Sequence, residues 1–97
     1  MNRSRMTRSP TTPGEILRDE YLVPLAMSQK QLAAHIGQDV KVINRIVNGR
    51  SAVTAEVALK LAGTFRTTPE FWLNAQKAVD LYAARRKLRH LPKPLVA

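Results

Sequence analysis

Apolar side chains recur at three- and four-residue spacing along most of this chain, which predicts helices, and the pattern is clearest over residues 28–50. Ser28 and Gln31 have the spacing of a capping box, which predicts a helix start. Gly37 suits the left-handed conformation that commonly ends a helix. Asp39 can cap a second helix, which stops at Asn48-Gly49. The two predicted apolar stripes are Leu32, Ala33 and Ile36, and Val42, Ile43, Ile46 and Val47. Helix, short turn and helix together form the helix-turn-helix pattern.

A further helix is predicted before this motif. Thr12 is a suitable cap, Pro13 suits the first helical position and Glu15 the first turn. Pro24 should end the helix, and we expect Leu25 and Met27 to be buried in the segment that follows. The expected inward residues are Ile16, Leu17, Tyr21 and Leu22, while Arg18, Asp19 and Glu20 face outward.

Two more helices are predicted after the motif. Thr54 can cap the fourth, whose end the pattern leaves open: either Arg66 adopts a left-handed conformation, or the helix stops near Gly63. Thr68 can cap the fifth, which should extend from Pro69 to about residue 88. The expected fold is therefore all-α, a compact five-helix bundle.

The stretch SQKQLAAHIG…INRIVNGR resembles the Cro/repressor type of helix-turn-helix. With the flanking blocks TPGEIL at residues 12–17 and TPEFWLN at residues 68–74, the chain resembles the HigA antitoxin family, also called the virulence-associated protein I group, over residues 12–82. The resemblance implies a dimeric repressor that binds an inverted-repeat DNA operator and controls its own operon. It also implies a HigB-like partner toxin, an mRNA-cleaving ribonuclease of the RelE-like class.

The second helix of the motif must enter a major groove about 12 Å wide and present polar side chains to the bases. Arg45 can bond guanine O6 and N7, and Lys41 can reach the same acceptors or a phosphate. Asn44 can pair with adenine, and Val40 can touch a thymine methyl group.

The residues around that helix suit contacts to the DNA backbone. Gln29 is the first residue of the first helix of the motif, whose N-terminal amides favour phosphate. Asn48 and Arg50 follow the second helix of the motif, which we call the recognition helix. Asp39 stands where the family usually has Ser or Thr; it is a good cap, but its carboxylate repels phosphate. The predicted DNA-binding residues are thus Gln29, Asp39, Val40, Lys41, Asn44, Arg45, Asn48 and Arg50.

The net charge of +9 is concentrated at the two ends of the 97-residue chain. Residues 1–11 contribute +3 and residues 85–97 contribute +5, whereas residues 12–84 hold eight basic and seven acidic side chains. We expect a flexible basic arm (1–11), a helix-turn-helix domain with a C-terminal dimerisation helix (12–84) and a basic tail (85–97). The ends either contact phosphates or act as solubilising, disordered termini.

The fifth predicted helix carries an apolar band that is wider than one core contact needs, which favours a second contact with another subunit. A homodimer fits the DNA geometry, since paired recognition helices about 34 Å apart read successive major grooves. The predicted dimerisation residues are Phe71, Trp72, Ala75, Val79 and Tyr82.

The sequence also argues against several function classes. It has no cysteine and no apolar run of membrane-spanning length, and its basic start lacks the apolar region of a secretory signal. His35 and His90 have no cluster of other metal-binding or acidic residues around them, and no nucleophile–base pair is evident. We therefore expect a cytoplasmic protein without catalytic residues, metal, cofactor, small-molecule substrate or membrane partner.

Two alternatives remain open at the level of sequence. One is a stand-alone helix-turn-helix transcriptional regulator that has no toxin. The other is a protein-interaction module that no longer reads DNA, which Asp39 and the nearly neutral central region favour.

Overall fold

The computed structural model describes residues 9–97, so most of the predicted N-terminal arm lies outside the described residues. Five helices and no strands form this part of the chain, which confirms the all-α prediction. Helix α1 (Pro13–Ile16) continues directly as a π-helical segment (Leu17–Leu22). The others are α2 (Gln29–Ile36), α3 (Val40–Val47), α4 (Ala55–Phe65) and α5 (Pro69–Lys87).

The helix starts follow the predicted capping chemistry. The Thr12 hydroxyl accepts from the N–H of Glu15 at 3.0 Å, and the Glu15 carboxylate accepts from the N–H of Thr12 at 2.8 Å. Ser28 and Gln31 form the same reciprocal pair at the start of α2. Each box satisfies two N–H groups that a helix would otherwise leave open. The capping side chains of the remaining helices are Asp39, Thr54 and Thr68, as predicted.

The first helix departs from regular α geometry in its second half. The N–H of Val23 donates to the carbonyl of Arg18 at 2.9 Å, five residues back, which is the π pattern. This wider turn allows Leu17 and Leu22, also five residues apart, to be buried together. Met27 packs against the core, but Leu25 is 56% exposed, so its predicted burial was wrong.

One core is shared by all five helices. At its centre lies Trp72, which is fully buried; its Nε1–H donates to the Thr67 hydroxyl at 2.8 Å, so the indole's polar group has a partner. The rings of Tyr21 and Phe65 pack beside it, with centroids 4.6 Å apart. Because Trp72 has no surface left for a second subunit, its prediction as a dimerisation residue was wrong.

The end of α4 was open at the level of sequence. The helix passes Gly63 and ends at Phe65, and Arg66 adopts the left-handed conformation with φ 55° and ψ 45°. An arginine therefore occupies a position that favours glycine, because its Cβ crowds the backbone there.

The helices place the motif against α1 at very close range. Gly14 is buried in the first turn of α1, directly against the backbone of α3 at Ile46 and Val47. This contact orients the recognition helix relative to the N-terminal helix. None of the helices in the described region is long and apolar enough to cross a membrane.

Candidate nucleic-acid interface

Helix α3 has a buried apolar face and an exposed polar face. Ile43, Ile46 and Val47 are buried in the core, whereas Lys41 and Arg45 are exposed on the opposite side. Asn44 and Val40 are exposed beside them, Val40 to 40%. The helix is therefore held by its apolar side and leaves the predicted base-contacting side chains accessible.

The tertiary structure brings most of the predicted DNA-binding residues into one concave surface, here called the recognition concavity. Asn48 is exposed but lines a neighbouring groove, and Asp39 is exposed at the start of α3 outside the concavity. Ser51 is a member that the sequence did not reveal, since a small polar residue in a loop carries no distinguishing pattern. The residues lining the recognition concavity are Gln29, Val40, Lys41, Asn44, Arg45, Arg50 and Ser51.

The cationic groups at this surface are available to a ligand. Among residues 9–97, no carboxylate forms an ion pair with Lys41, Arg45 or Arg50. Asp39, the nearest acid in sequence, accepts a hydrogen bond from the N–H of Lys41 at 2.8 Å and acts as the cap of α3. The concavity thus presents three positive side chains, the chemistry that phosphates and guanine edges require.

Asn44 is held by a small amide network. Its Nδ2 donates to Gln29 Oε1 at 3.1 Å, and its Oδ1 accepts from Asn48 Nδ2 at 3.3 Å. A side-chain amide has two N–H groups and two oxygen lone pairs, so Asn44 retains one donor and one acceptor for a base. The network orients the amide before any ligand arrives.

The turn of the motif is tied to α4 by polar contacts. Gln38 Nε2 donates to a Glu56 carboxylate oxygen at 3.1 Å, and the Lys60 ammonium contacts the same oxygen at 3.0 Å. The Lys60 hydrogen bond and charge lower the pKa of Glu56, with a smaller contribution from Gln38. Because Glu56 is exposed, water screens its ion pair with Lys60, which therefore contributes mainly to orientation.

The loop after α3 is tied to α5. The N–H of Val53 donates to Gln76 Oε1 at 3.0 Å, and Gln76 Nε2 donates to Asp80 Oδ1 at 3.0 Å. The sequence did not point to Gln76, because contacts between residues 23 positions apart leave no local pattern.

The predicted dimerisation residues other than Trp72 lie at or near the surface of α5. Ala75, Val79 and Tyr82 are half-buried, and Phe71 is 38% exposed. The Arg86 guanidinium lies 5.5 Å from the centre of the Tyr82 ring and donates to its hydroxyl. These four residues leave partly exposed apolar area that a second subunit could cover.

Comparison with known proteins identifies the family. Residues 19–72 match the family model described as helix-turn-helix, which is more than half of the chain. An uncharacterised helix-turn-helix-type transcriptional regulator of Haemophilus influenzae is 48% identical over 77 residues, covering 79% of this chain and 72% of that one. Antitoxin HigA-1 of Vibrio cholerae is 41% identical over 86 residues, covering 89% and 81% respectively.

A solved structure, Pseudomonas aeruginosa antitoxin HigA with higBA promoter, has the same arrangement of helices. It matches with a TM-score of 0.80 and 35% identity, covering 90% of this chain and 99% of that one. These matches extend well beyond the motif into α1 and α5. The chain belongs to the HigA antitoxin family of helix-turn-helix proteins.

Proposed function

We propose that this chain is a sequence-specific DNA-binding antitoxin that represses its own operon as a dimer and neutralises an mRNA-cleaving toxin. The recognition concavity carries the DNA-binding half of this proposal. It places Lys41, Asn44 and Arg45 of one short helix beside Arg50, with the cationic groups unpaired in the described region. This is the combination of base-reading and phosphate-binding groups that specific recognition needs.

Relatives support both halves of the proposal. The Pseudomonas relative is named as an antitoxin with its promoter, and the Vibrio relative is named as an antitoxin. For this chain, the toxin follows from family membership, and the DNA follows from family membership together with the concavity. We propose a homodimer for the same reasons, with Phe71, Ala75, Val79 and Tyr82 at its interface.

We further propose that the chain has no enzymatic activity and acts in the cytoplasm. Its family is one of DNA-binding regulators, and among residues 9–97 no group of three potential metal-ligating side chains comes together. A regulator that reads an operator must work in the compartment that holds the DNA, which in its bacterial relatives is the cytoplasm.

Binding to the chain's own upstream DNA tests the first half. We expect a salt-sensitive, sequence-preferring complex, and we expect Arg45→Ala to weaken it by about 1–3 kcal/mol and relax the preference at one base pair. Lys77→Ala is the matched control, because it removes one positive charge from exposed α5 outside the concavity. If the wild-type chain shows no sequence preference, the protein-interaction alternative replaces the repressor.

Co-purification from the native operon tests the second half. We expect a small ribonuclease to copurify with the tagged chain, and to be inactive towards mRNA while bound. The Arg45→Ala variant should retain this partner if the toxin docks away from the concavity. Specific operator binding without any such partner would instead indicate a stand-alone regulator.

A further inference from the structure

The loop that follows the recognition helix is anchored at both ends. At its start, Gly49 has φ +71°, and the N–H groups of Arg50 and Ser51 donate to the carbonyl of Arg45 at 2.7 and 3.3 Å, which closes the end of α3. At its far end, Val53 is only 4% exposed, and its N–H is bonded to Gln76 Oε1 on α5. The side chains of Arg50, Ser51 and Ala52, which lie between Gly49 and Val53, are exposed.

Gln76 is itself held in one orientation. Its Nε2 donates to the carboxylate of Asp80, one helical turn further along α5, so its oxygen faces Val53. Rotating the amide by half a turn would place an N–H group against the Val53 N–H and another oxygen against the carboxylate. The neighbouring charge therefore keeps the acceptor aimed at the loop.

The loop separates two surfaces. On one side, Arg50 and Ser51 line the recognition concavity together with Lys41 and Arg45. On the other side, the same loop borders a cavity that Gln76 and Asp80 line. Gln76 thus supports, from behind, the segment whose front faces the concavity.

We infer that Gln76 is a positioning residue for DNA binding. It lies on α5 outside the concavity, and it holds the loop so that Arg50 and Ser51 can contact phosphate. This inference rests on the proposed DNA-binding function. Without the Val53 hydrogen bond, only the Arg45 carbonyl and the buried Val53 side chain hold the exposed segment. The segment then gains freedom, part of which must be lost when its phosphate contacts form. The base-reading side chains of α3 are held by the core and stay in place.

The test is operator binding by Gln76→Met, which keeps the side-chain length but removes the acceptor. Asn74→Met is the control, a neutral polar residue replaced by Met at an exposed site on the same helix. We expect Gln76→Met to weaken binding roughly 3- to 10-fold and to make the slope of log affinity against log salt shallower, by about 0.9 for each phosphate that the loop no longer neutralises. Its ranking of altered operators should match the wild type, and the control should change nothing.

A second comparison separates positioning from general destabilisation. In an Arg50→Ala/Ser51→Ala background, Gln76→Met should change affinity less than about twofold, because the side chains through which it acts have already been removed. Should Gln76→Met not fold, Gln76→Asn retains the amide but is too short to reach Val53, and the same changes are expected.

Two results would overturn the inference. One is a wild-type salt slope and affinity in a folded Gln76 variant, and the other is an undiminished loss of affinity in the doubly substituted background. Both leave the proposed function intact, since the wild type still binds. Failure of the wild type to bind its operator would remove the proposed function and this inference together.

Discussion

Gly14 and Ile46 bring the backbones of α1 and α3 into direct contact. A Cβ atom added at Gly14 would lie 2.0 Å from the Ile46 carbonyl oxygen and 2.8 Å from the Val47 Cα, closer than such atoms approach each other. The groups in the way are helix backbone, which cannot rotate aside. Because Gly14 has no side chain, the recognition helix α3 can pack directly against α1.

Gly14→Ala should accordingly destabilise the protein, by about 1–3 kcal/mol or more, because α1 and α3 must move apart. Denaturant unfolding measures the change. Gly63→Ala is the matched control, since Gly63 lies in α4 with nothing within 4 Å of an added Cβ. That substitution should stabilise by about 0.5–1 kcal/mol through helix propensity. Equal effects of the two substitutions would contradict the close approach.

Arg66→Gly should stabilise the fold, because Arg66 holds a left-handed conformation that costs a residue with a Cβ about 1 kcal/mol or more. For a domain of this size, about 1 kcal/mol corresponds to a rise of roughly 4–8 °C in Tm. Arg66→Ala is the control, as it removes the same charge but keeps the Cβ. A gain as large in Arg66→Ala would trace the effect to the charge instead of the backbone.

Gln29→Ala should weaken the recognition of one base pair, although Gln29 itself does not contact that base pair. Gln29 Oε1 orients the Asn44 amide, and a hydrogen bond of this kind contributes about 0.5–1.5 kcal/mol, or roughly 3- to 10-fold in affinity. The loss should be concentrated at the base pair that Asn44→Ala affects, and the double variant should lose less than the two combined. A loss spread evenly over all operator sequences would show that Gln29 contacts phosphate alone.

Acid should remove the contribution of the Glu56–Lys60 pair. Lys60 lowers the pKa of Glu56 in the folded protein, so this contribution is present above the ordinary pKa of a glutamate and is lost as the pH falls through the lowered value. Glu56→Gln should therefore flatten the fall of Tm between about pH 5 and 3. Glu20→Gln is the control, because Glu20 forms no ion pair within residues 9–97. An identical dependence of Tm on pH in the wild type and in Glu56→Gln would show that the Glu56–Lys60 pair does not contribute to the loss of stability in acid.

The sequence alone determined where the helices begin and which side of α3 faces the core. Thr12, Ser28, Asp39, Thr54 and Thr68 each cap a helix through atoms two or three residues away, so the necessary information lies in a short stretch of chain. The apolar stripes are equally local, which is why the exposed face of α3 could be predicted. The predicted DNA contacts on that face stay predictions until binding is measured.

Only the tertiary structure decided what depends on how the helices meet. The apolar band of α5 could not show that Trp72 is buried while Phe71 is partly exposed, because both are aromatic neighbours at the start of one helix. Nor could the sequence show that Gln76 would reach the backbone of Val53 or that Gly14 would lie against Ile46. Such contacts join residues distant in sequence, and the crossing of packed helices determines them, whereas caps and stripes arise within a few turns of one helix.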